Sequence, residues 1–415
     1  MSALNFQDQL HQAHRLLMQQ QHEPAKAILS VLANQNYAPA MTDLGIILLM
    51  EFASAETTQQ GLDLLHRAEQ QDYLPAAYHL ACISLSDASV ALDWQQLQQR
   101  LLRCCQAQHP EALCDAAMLL AHFGTPDALP ASNALLEMAA LRGNTVAMAL
   151  LGERLALGLG VEKDTARANA IRRLALQMDL PVPAPNGPES RPEPAFTPTL
   201  PNSIELPDAR LALQHPEAQL LQAEIQLKTV ARIFSDEECL YIQCMGGPQL
   251  QPSISVDDSG THHRNRIRTS YDFLFQPEHE SVYLKLLQWR MAEAAGLPLK
   301  HAESLTLLRY TPGQEYKPHR DYLPPSHYTS VKNGGAGQRL RTAIAYLNTP
   351  ESGGETEFPL FDVRIPAVTG QLVLFDNINA EGALNERSFH AGAPVKQGVK
   401  WICTLWIREQ ALRTL

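Results

Sequence analysis

The stretch YKPHRDY, residues 316–322, places a histidine and an aspartate two residues apart. If this stretch is extended, its side chains alternate, so that His319 and Asp321 project from the same side. A second histidine, His390, follows in the segment SFHAG. Two histidines and one carboxylate on one face of an octahedral ion leave three positions open, as in non-haem Fe(II) oxygenases. These three residues therefore form a candidate iron site.

Taken alone, the histidine–aspartate spacing is a weak signal, because an exposed His or Asp is usually a turn or surface residue. Lys400 lies ten residues after His390 and begins the apolar run KWICTLWI. In an extended strand it shares a face with Trp406. An ordinary strand lysine with a solvated head and an ordinary core tryptophan are the alternatives for these two residues.

The elements that must position these residues are strands. From Ser304 onward, the chain contains short aromatic or β-branched runs separated by Gly, Pro and Asn, such as LTLLRY, LRTAIAYLN, GQLVLFDN and KWICTLWIRE. This texture predicts an antiparallel all-β barrel or jelly roll. Two segments with helical spacing precede it, ARLALQHPEAQLLQ and FSDEECLYIQCM, and Ser235 is the predicted N-cap of the second. In GGETEFP, Gly353 and Gly354 predict a tight turn.

Three longer stretches, LRYTPGQEYKPHRDY, RTAIAYLNTPESGGETEFP and RSFHAGAPVKQGVKWICTLWI, together resemble the catalytic domain of prolyl 4-hydroxylases, over roughly residues 230–409. The resemblance implies a double-stranded β-helix, or jelly roll, with flanking helices. It implies that His319, Asp321 and His390 bind Fe(II) and that Lys400 binds 2-oxoglutarate.

The same resemblance assigns roles to four further residues. Tyr310 and Thr342 match positions that hydrogen-bond the far carboxylate of 2-oxoglutarate, and Trp406 matches an aromatic residue of the same pocket. Tyr316 matches a position near the bound peptide, although a purely structural tyrosine is the alternative.

The implied activity is that of an Fe(II)- and 2-oxoglutarate-dependent dioxygenase. Such an enzyme uses O2 to hydroxylate an aliphatic C–H bond, here on a prolyl residue of a peptide or protein, and releases succinate and CO2. Ascorbate is often required by relatives. Three alternatives remain: a catalytically silent fold serving a repeat scaffold, a non-prolyl acceptor, and a nucleic-acid demethylase. The last uses arginine for the cosubstrate, so Lys400 disfavours it.

The N-terminal part contains an internal repeat. Alanines recur at Ala40, Ala76, Ala112 and Ala147, with spacings of 36, 36 and 35 residues, and each unit continues with a second apolar cluster of helical spacing. Stacked helix pairs of this kind predict an α-solenoid, with a simple helical bundle as the alternative. The last unit resembles a Sel-one-like repeat, a tetratricopeptide relative. A solenoid could dock a protein substrate.

Composition divides the chain into three parts. We predict a helical-repeat domain at 1–180, a linker at 181–207 containing nine prolines, and a catalytic domain at 208–415 with its core at 303–409. The net charge is −11, and residues 1–180 hold 18 acidic against 11 basic groups. An acidic chain repels phosphates, so we expect no nucleic-acid partner.

The seven cysteines include no CxxC pair, so we expect buried thiols rather than disulfides or a thiolate zinc site. The first residues carry no basic and apolar export signal, and no apolar run could span a bilayer. We therefore expect a cytoplasmic protein without a membrane partner. The glycine-rich segment 323–338, next to the metal pair, is either a lid or a plain surface loop.

Overall fold

A computed structural model describes residues 3–50, 54–85, 90–122, 128–187, 204–256, 262–264, 268–324, 328–333 and 335–412. It confirms the predicted multidomain architecture of an all-α solenoid of helix pairs followed by a jelly roll with flanking helices. Most of the proline-rich segment, residues 188–203, lies outside the described residues, as do 325–327 and 334 of the glycine-rich segment. The predicted domain boundaries stay predictions.

The helical region comprises ten described helices, and consecutive helices pack on each other. Their bounds are α1 (Ala3–Met18), α2 (His22–Asn34), α3 (Ala38–Met50), α4 (Ala55–Glu69), α5 (Leu74–Ser84), α6 (Trp94–Gln106), α7 (Pro110–His122), α8 (Ala128–Leu141), α9 (Thr145–Leu157) and α10 (Thr165–Gln177). The four repeated alanines lie in α3, α5, α7 and α9 and are fully buried. Small residues let paired helices approach: a Cβ added to Gly45 of α3 would lie 2.9 Å from the carbonyl oxygen of Gly61 in α4. None of the described helices is long and apolar enough to cross a membrane.

The β-rich region combines two helices with sixteen described strands. The helices are α11 (Asp236–Gly246) and α12 (Val282–Ala294). The strands are β1 (Gln219–Gln222), β2 (Leu227–Val230), β3 (Gln251–Pro252), β4 (Ile254–Val256), β5 (His262–Arg264), β6 (Tyr271–Leu274), β7 (Thr306–Tyr310), β8 (Tyr316–His319), β9 (Arg339–Tyr346), β10 (Ser352–Gly353), β11 (Thr356–Phe358), β12 (Val363–Ile365), β13 (Leu372–Asp376), β14 (His390–Gly392), β15 (Val395–Gln397) and β16 (Lys400–Arg408).

Two antiparallel sheets form the jelly roll. The larger has eight strands in the order β1-β2-β13-β9-β16-β7-β6-β3, and the smaller has four in the order β12-β11-β14-β8. Ser235 caps α11 as predicted, in a capping box with Glu238. The other segment predicted to be helical, residues 209–222, instead forms a short 3-10 helix (Ala209–Leu213) and strand β1. Gly353 and Gly354 adopt the positive φ values expected for the turn, 77° and 80°. All seven cysteines are unpaired and buried.

The eight-stranded sheet has two differently used faces. Along β9, Ala343 and Ala345 join the core shared with α11, α12 and the repeat helices, whereas Ile344 and Tyr346 face the smaller sheet. This alternation follows from the two-residue period of a strand. The helices therefore back one face of the sheet, and the space between the two sheets lies on the other.

The helical region is joined to the β-rich region through α5, α7 and α9, which pack against α11 and α12. Asp115 of α7 accepts hydrogen bonds from the backbone N–H of Val282 at 3.0 Å and from the hydroxyl of Tyr241 at 3.2 Å. Arg154 of α9 pairs with Glu237 in the first turn of α11. One continuous hydrophobic cluster spans both regions. The repeats are therefore packed onto the back of the sheet.

Candidate functional site

The pairing of β8 with β14 brings the two histidines together, since His390 lies directly opposite His319 in the register. Asp321 follows β8 by two residues, and one ligand atom from each of the three residues lies within 4.8 Å of the others. The Nε2 atom of His319 is 3.4 Å from Oδ1 of Asp321, and that of His390 is 3.7 Å from Oδ2. The three side chains that the sequence singled out thus converge on one point.

Backbone contacts determine which histidine nitrogen faces that point. Nδ1 of His319 lies 2.8 Å from the carbonyl oxygen of Lys317, and Nδ1 of His390 lies 2.9 Å from that of Ser388. Because a carbonyl oxygen only accepts, each Nδ1 carries the proton and each Nε2 presents a lone pair towards Asp321. This is the tautomer that metal-ligating histidines adopt.

The electrostatics of the three residues suit a divalent cation. Burial lowers the pKa of His390 to about 4, with a contribution from His319, so that its imidazole is neutral. Burial alone would raise the pKa of Asp321, but protonated His390 and His319, together with Arg339, hold it well below its usual range, and a bound cation would take over the role of the two imidazole protons. Metal ligation requires a neutral imidazole and an ionised carboxylate, so these residues fit an Fe(II) ion.

Lys400 lies on β16 opposite Tyr310 of β7 and is buried. Its Nζ lies 5.5 Å from the ring centroid of Tyr310 and 5.6 Å from that of Tyr346, and within the described residues no carboxylate pairs with it. Burial lowers the pKa of Lys400 to about 8, opposed by the field of Glu355. A buried, unpaired ammonium complements an anionic ligand, as the distal carboxylate of 2-oxoglutarate would provide.

Thr342 does not lie beside Lys400, which corrects the expected contact with the cosubstrate carboxylate. It pairs with Trp406, six residues beyond Lys400 on β16, or about 20 Å along the strand. Its hydroxyl donates to Oδ2 of Asp321 at 2.8 Å and accepts from Asn377 at 2.9 Å. Thr342 therefore belongs to the surroundings of Asp321.

Two hydroxyl groups that the sequence did not single out lie nearer to Lys400. Tyr346 pairs with Ile402, two residues from Lys400, and its hydroxyl donates to Oγ1 of Thr356 at 2.6 Å. Thr356 lines the cavity between the histidines and Lys400. The sequence could have indicated Tyr346, because it lies four residues after Thr342 and so projects from the same face of the strand. Gly354 matters too: a Cβ there would lie 3.0 Å from Cδ of Lys400.

The two remaining candidates line the same cavity. The ring of Tyr316 stacks on that of His319 with centroids 3.4 Å apart, and burial raises the pKa of its hydroxyl to about 12. The guanidinium of Arg339 lies 4.1 Å above the Trp406 ring. Among the described residues, nothing accepts from the buried Nε1–H of Trp406. Tyr310, Tyr316 and Trp406 are thus brought together with the triad and Lys400.

The segment 323–338 is closed at its base by Gln338, whose side chain accepts from the backbone N–H of Leu323 at 2.6 Å and donates to its carbonyl at 2.8 Å. The side chain of Arg339 donates to the carbonyl oxygen of Asp321 and pairs with Glu303. The ends of this segment are therefore tied to the backbone beside the triad.

Residues 305–408, which include the triad, Lys400 and the other predicted site residues, match the family described as the 2OG-Fe(II) oxygenase superfamily. They form a 2OG-Fe(II) oxygenase domain. The chain is 34% identical to "Prolyl 4-hydroxylase 1" of Arabidopsis thaliana over 192 residues, which are 43% of this chain and 66% of that protein. It is 32% identical to "Probable prolyl 4-hydroxylase 3" of the same plant, over 42% and 66% of the two chains. The matches to these two relatives thus cover slightly less than two thirds of their length, and they support a domain of the prolyl 4-hydroxylase type.

Two solved structures are similar to this chain over less than half of its length. A viral collagen prolyl hydroxylase from Paramecium Bursaria Chlorella virus-1 is 27% identical, covers 44% of this chain and 95% of its own, and gives a TM-score of 0.34. A Sel1 repeat protein from Oxalobacter formigenes is 18% identical, covers 41% of this chain and 71% of its own, and gives a TM-score of 0.35.

Proposed function

We propose that this protein is an Fe(II)- and 2-oxoglutarate-dependent dioxygenase that hydroxylates a prolyl residue of a peptide or protein and releases succinate and CO2. The observation that carries the proposal is the convergence of His319, Asp321 and His390 in one cavity with the buried Lys400, which has no ion-pair partner in the part of the chain that the structure describes. A structural ion pair would have its charges satisfied. This cavity instead presents an ammonium and two imidazole lone pairs to its interior.

Each residue would perform a distinct task. The triad would hold the iron by three ligands, and Lys400 would bind the distal carboxylate of 2-oxoglutarate, with the Tyr310 and Tyr346 rings as walls of the cavity. The bound iron, 2-oxoglutarate and O2 together supply the oxidising power for C–H hydroxylation. The protein contributes position and the exclusion of water.

Aromatic packing supports the exclusion of water from one side of the metal site. The rings of Phe375 and Phe358 lie 4.6 and 5.7 Å from that of His390, centroid to centroid, and both side chains are fully buried. Tyr316 covers His319. A water-poor site strengthens the hold of Lys400 on an anion and limits loss of the reactive species to solvent.

The prolyl acceptor rests on the relatives, several of which are named prolyl 4-hydroxylases. We propose that Tyr316, at the wall of the cavity, contacts this residue, that Trp406 lines the pocket for 2-oxoglutarate, and that ascorbate sustains turnover. The substrate would be a protein rather than a free amino acid. Helices α5, α7 and α9 already contact α11 or α12, so we propose that a partner protein docks on other parts of the repeats.

The test is incubation of the full chain with Fe(II), 2-oxoglutarate, ascorbate and either proline-containing peptides or alkylated oligonucleotides, followed by mass spectrometry and succinate measurement. We expect a peptide to gain one oxygen atom on proline in step with succinate, and His319→Ala to abolish both.

Oxidation of the oligonucleotide alone would refute the prolyl proposal. A folded protein that forms no succinate with any acceptor, and whose Fe(II) complex gives no visible charge-transfer band with 2-oxoglutarate, would favour the scaffold function instead.

A further inference from the structure

We propose that Asn377 and Thr342 are positioning residues that hold Asp321 as a one-oxygen metal ligand. The inference rests on the proposed function only in taking Asp321 as a ligand. Both side chains are buried, and neither lines the cavity: Thr342 contacts Asp321, and Asn377 contacts Thr342.

The three groups form a directed chain of hydrogen bonds. The amide nitrogen of Asn377 lies 2.9 Å from Oγ1 of Thr342, and this oxygen lies 2.8 Å from Oδ2 of Asp321. Asn377 and Thr342 are fully buried, and Asp321 is nearly so. No solvent can therefore substitute for either donor.

Charge determines the direction of this chain. An ionised carboxylate only accepts hydrogen bonds, so the single proton of the Thr342 hydroxyl must point to Asp321. That hydroxyl can then only accept from Asn377, which must present its NH2 group. The opposite amide orientation would leave two acceptors facing each other across 2.9 Å.

This orientation of the Asn377 amide leaves its oxygen without a hydrogen bond from any described residue, which would not be expected if the side chain served only to stabilise the fold. Within the described residues, Oδ1 of Asn377 is buried and has no hydrogen-bond partner. A buried, unsatisfied carbonyl costs about 1–3 kcal/mol. Both backbone groups of Asn377 are hydrogen-bonded: its N–H donates to the carbonyl of Leu340, and its carbonyl accepts from the N–H of Asn385. The side chain is thus held in place for the bond it makes to Thr342.

The consequence concerns the number of open positions on the ion. With Oδ2 engaged by Thr342, Oδ1 of Asp321 is the oxygen free to ligate. One oxygen from Asp321 and two histidine nitrogens leave three positions, which a chelating keto acid and O2 require. Without the Thr342 bond, Oδ2 is free to turn to the ion and take a position that 2-oxoglutarate needs.

The experiment is a Co(II) titration of the full chain, followed by its visible spectrum, in wild type, Thr342→Val, Thr342→Ser and Asn377→Leu. The matched control is Thr306→Val, because Thr306 is also a buried threonine of the larger sheet and its hydroxyl donates to the carbonyl of Ser304. We expect Thr342→Val to weaken Co(II) binding about tenfold or more and to alter the spectrum. Asn377→Leu should change both in the same direction, and Thr342→Ser and Thr306→Val should resemble wild type.

Wild-type Co(II) affinity and spectrum in folded Thr342→Val, or in folded Asn377→Leu if the first variant does not fold, would overturn the inference. Co(II) binding that is insensitive to His319→Ala would overturn it together with the metal site. Co(II) binding that responds as expected, with no Fe(II)–2-oxoglutarate band, would refute the proposed function and leave the inference standing.

Discussion

The two faces of the eight-stranded sheet bury charged side chains in opposite ways. On the helical side, Arg290 donates to both oxygens of Glu238 at 2.9 Å, and Arg154 pairs with Glu237. On the cavity side, no carboxylate of the described residues forms an ion pair with Lys400, whose ammonium lies near the rings of Tyr310 and Tyr346. Ion pairs such as Arg154–Glu237 connect the repeats to the oxygenase domain. The ammonium of Lys400, in contrast, remains free to bind an anionic ligand.

This contrast distinguishes structural from functional burial. A buried charge costs several kcal/mol unless a partner offsets it. Glu238 illustrates the paired case: burial opposes its ionisation, but His122 and Arg290 bring its pKa down to about 2. Lys400 illustrates the other, because burial lowers its pKa to about 8 and Glu355 offsets this only in part. Groups that remain uncompensated in a cleft are candidates for function.

The largest expected effect is on the cavity side. His319→Ala should abolish turnover and the Fe(II)–2-oxoglutarate charge-transfer band, because two ligands cannot replace three. Anaerobic absorption spectroscopy measures the band. The matched variant is His301→Ala, a half-buried histidine outside the cavity, which should retain it. An undiminished band in His319→Ala would place the iron elsewhere.

The largest effect on stability belongs to the helical side. Arg290→Met should lower the free energy of unfolding by about 3–5 kcal/mol, because it leaves Glu238 buried without its guanidinium partner. Urea denaturation measures the change. Arg364→Met, which breaks the exposed pair with Glu357, should cost less than about 1 kcal/mol. If both variants lost the same free energy of unfolding, the buried Arg290–Glu238 pair would contribute no more to stability than the exposed pair, contrary to the proposal.

Removal of the Lys400 charge should raise the free energy of unfolding, whereas removal of the Arg290 charge should lower it. Lys400→Met should stabilise the protein by about 1–3 kcal/mol, since it removes an unpaired buried ammonium. It should also weaken 2-oxoglutarate binding about 30-fold or more, because truncation of one member of a buried charge pair costs at least about 2 kcal/mol. Thermal unfolding and titration calorimetry test the two halves separately. A destabilised Lys400→Met would mean that the lysine has a structural partner.

The smallest effect is a pH dependence of cosubstrate binding. The free protein holds Lys400 charged below about pH 8, and the bound carboxylate raises that pKa. Affinity for 2-oxoglutarate should therefore be constant below pH 8 and fall about tenfold per pH unit above it. Calorimetry on the Mn(II) protein between about pH 7 and pH 9 measures this slope. Lys400→Arg should remove it, since a guanidinium stays charged, and a slope retained in that variant would assign the titration to another group.

Thr342 shows that the sequence predicts the strand and the face on which a residue lies, but not its neighbours in the paired strand. Its position on a strand was correct, and parity placed it on the cavity face together with Tyr346. Position along the strand depends on pairing with β16, because each two-residue step moves a side chain about 7 Å without changing its face. Thr342 therefore meets Asp321, while Tyr346 and Thr356 lie nearer to Lys400.

The sequence by itself determined the repeat period, the four strands β7, β9, β13 and β16, the capping residue Ser235 and the residue types of the iron site, because each depends on local spacing and side-chain chemistry. Only the tertiary structure decided that His390 lies opposite His319, that Lys400 has no charged partner within the described residues, and that the repeats pack on the back of the sheet. These facts depend on contacts between residues far apart in the chain, and no local pattern encodes which distant surface will bury which group.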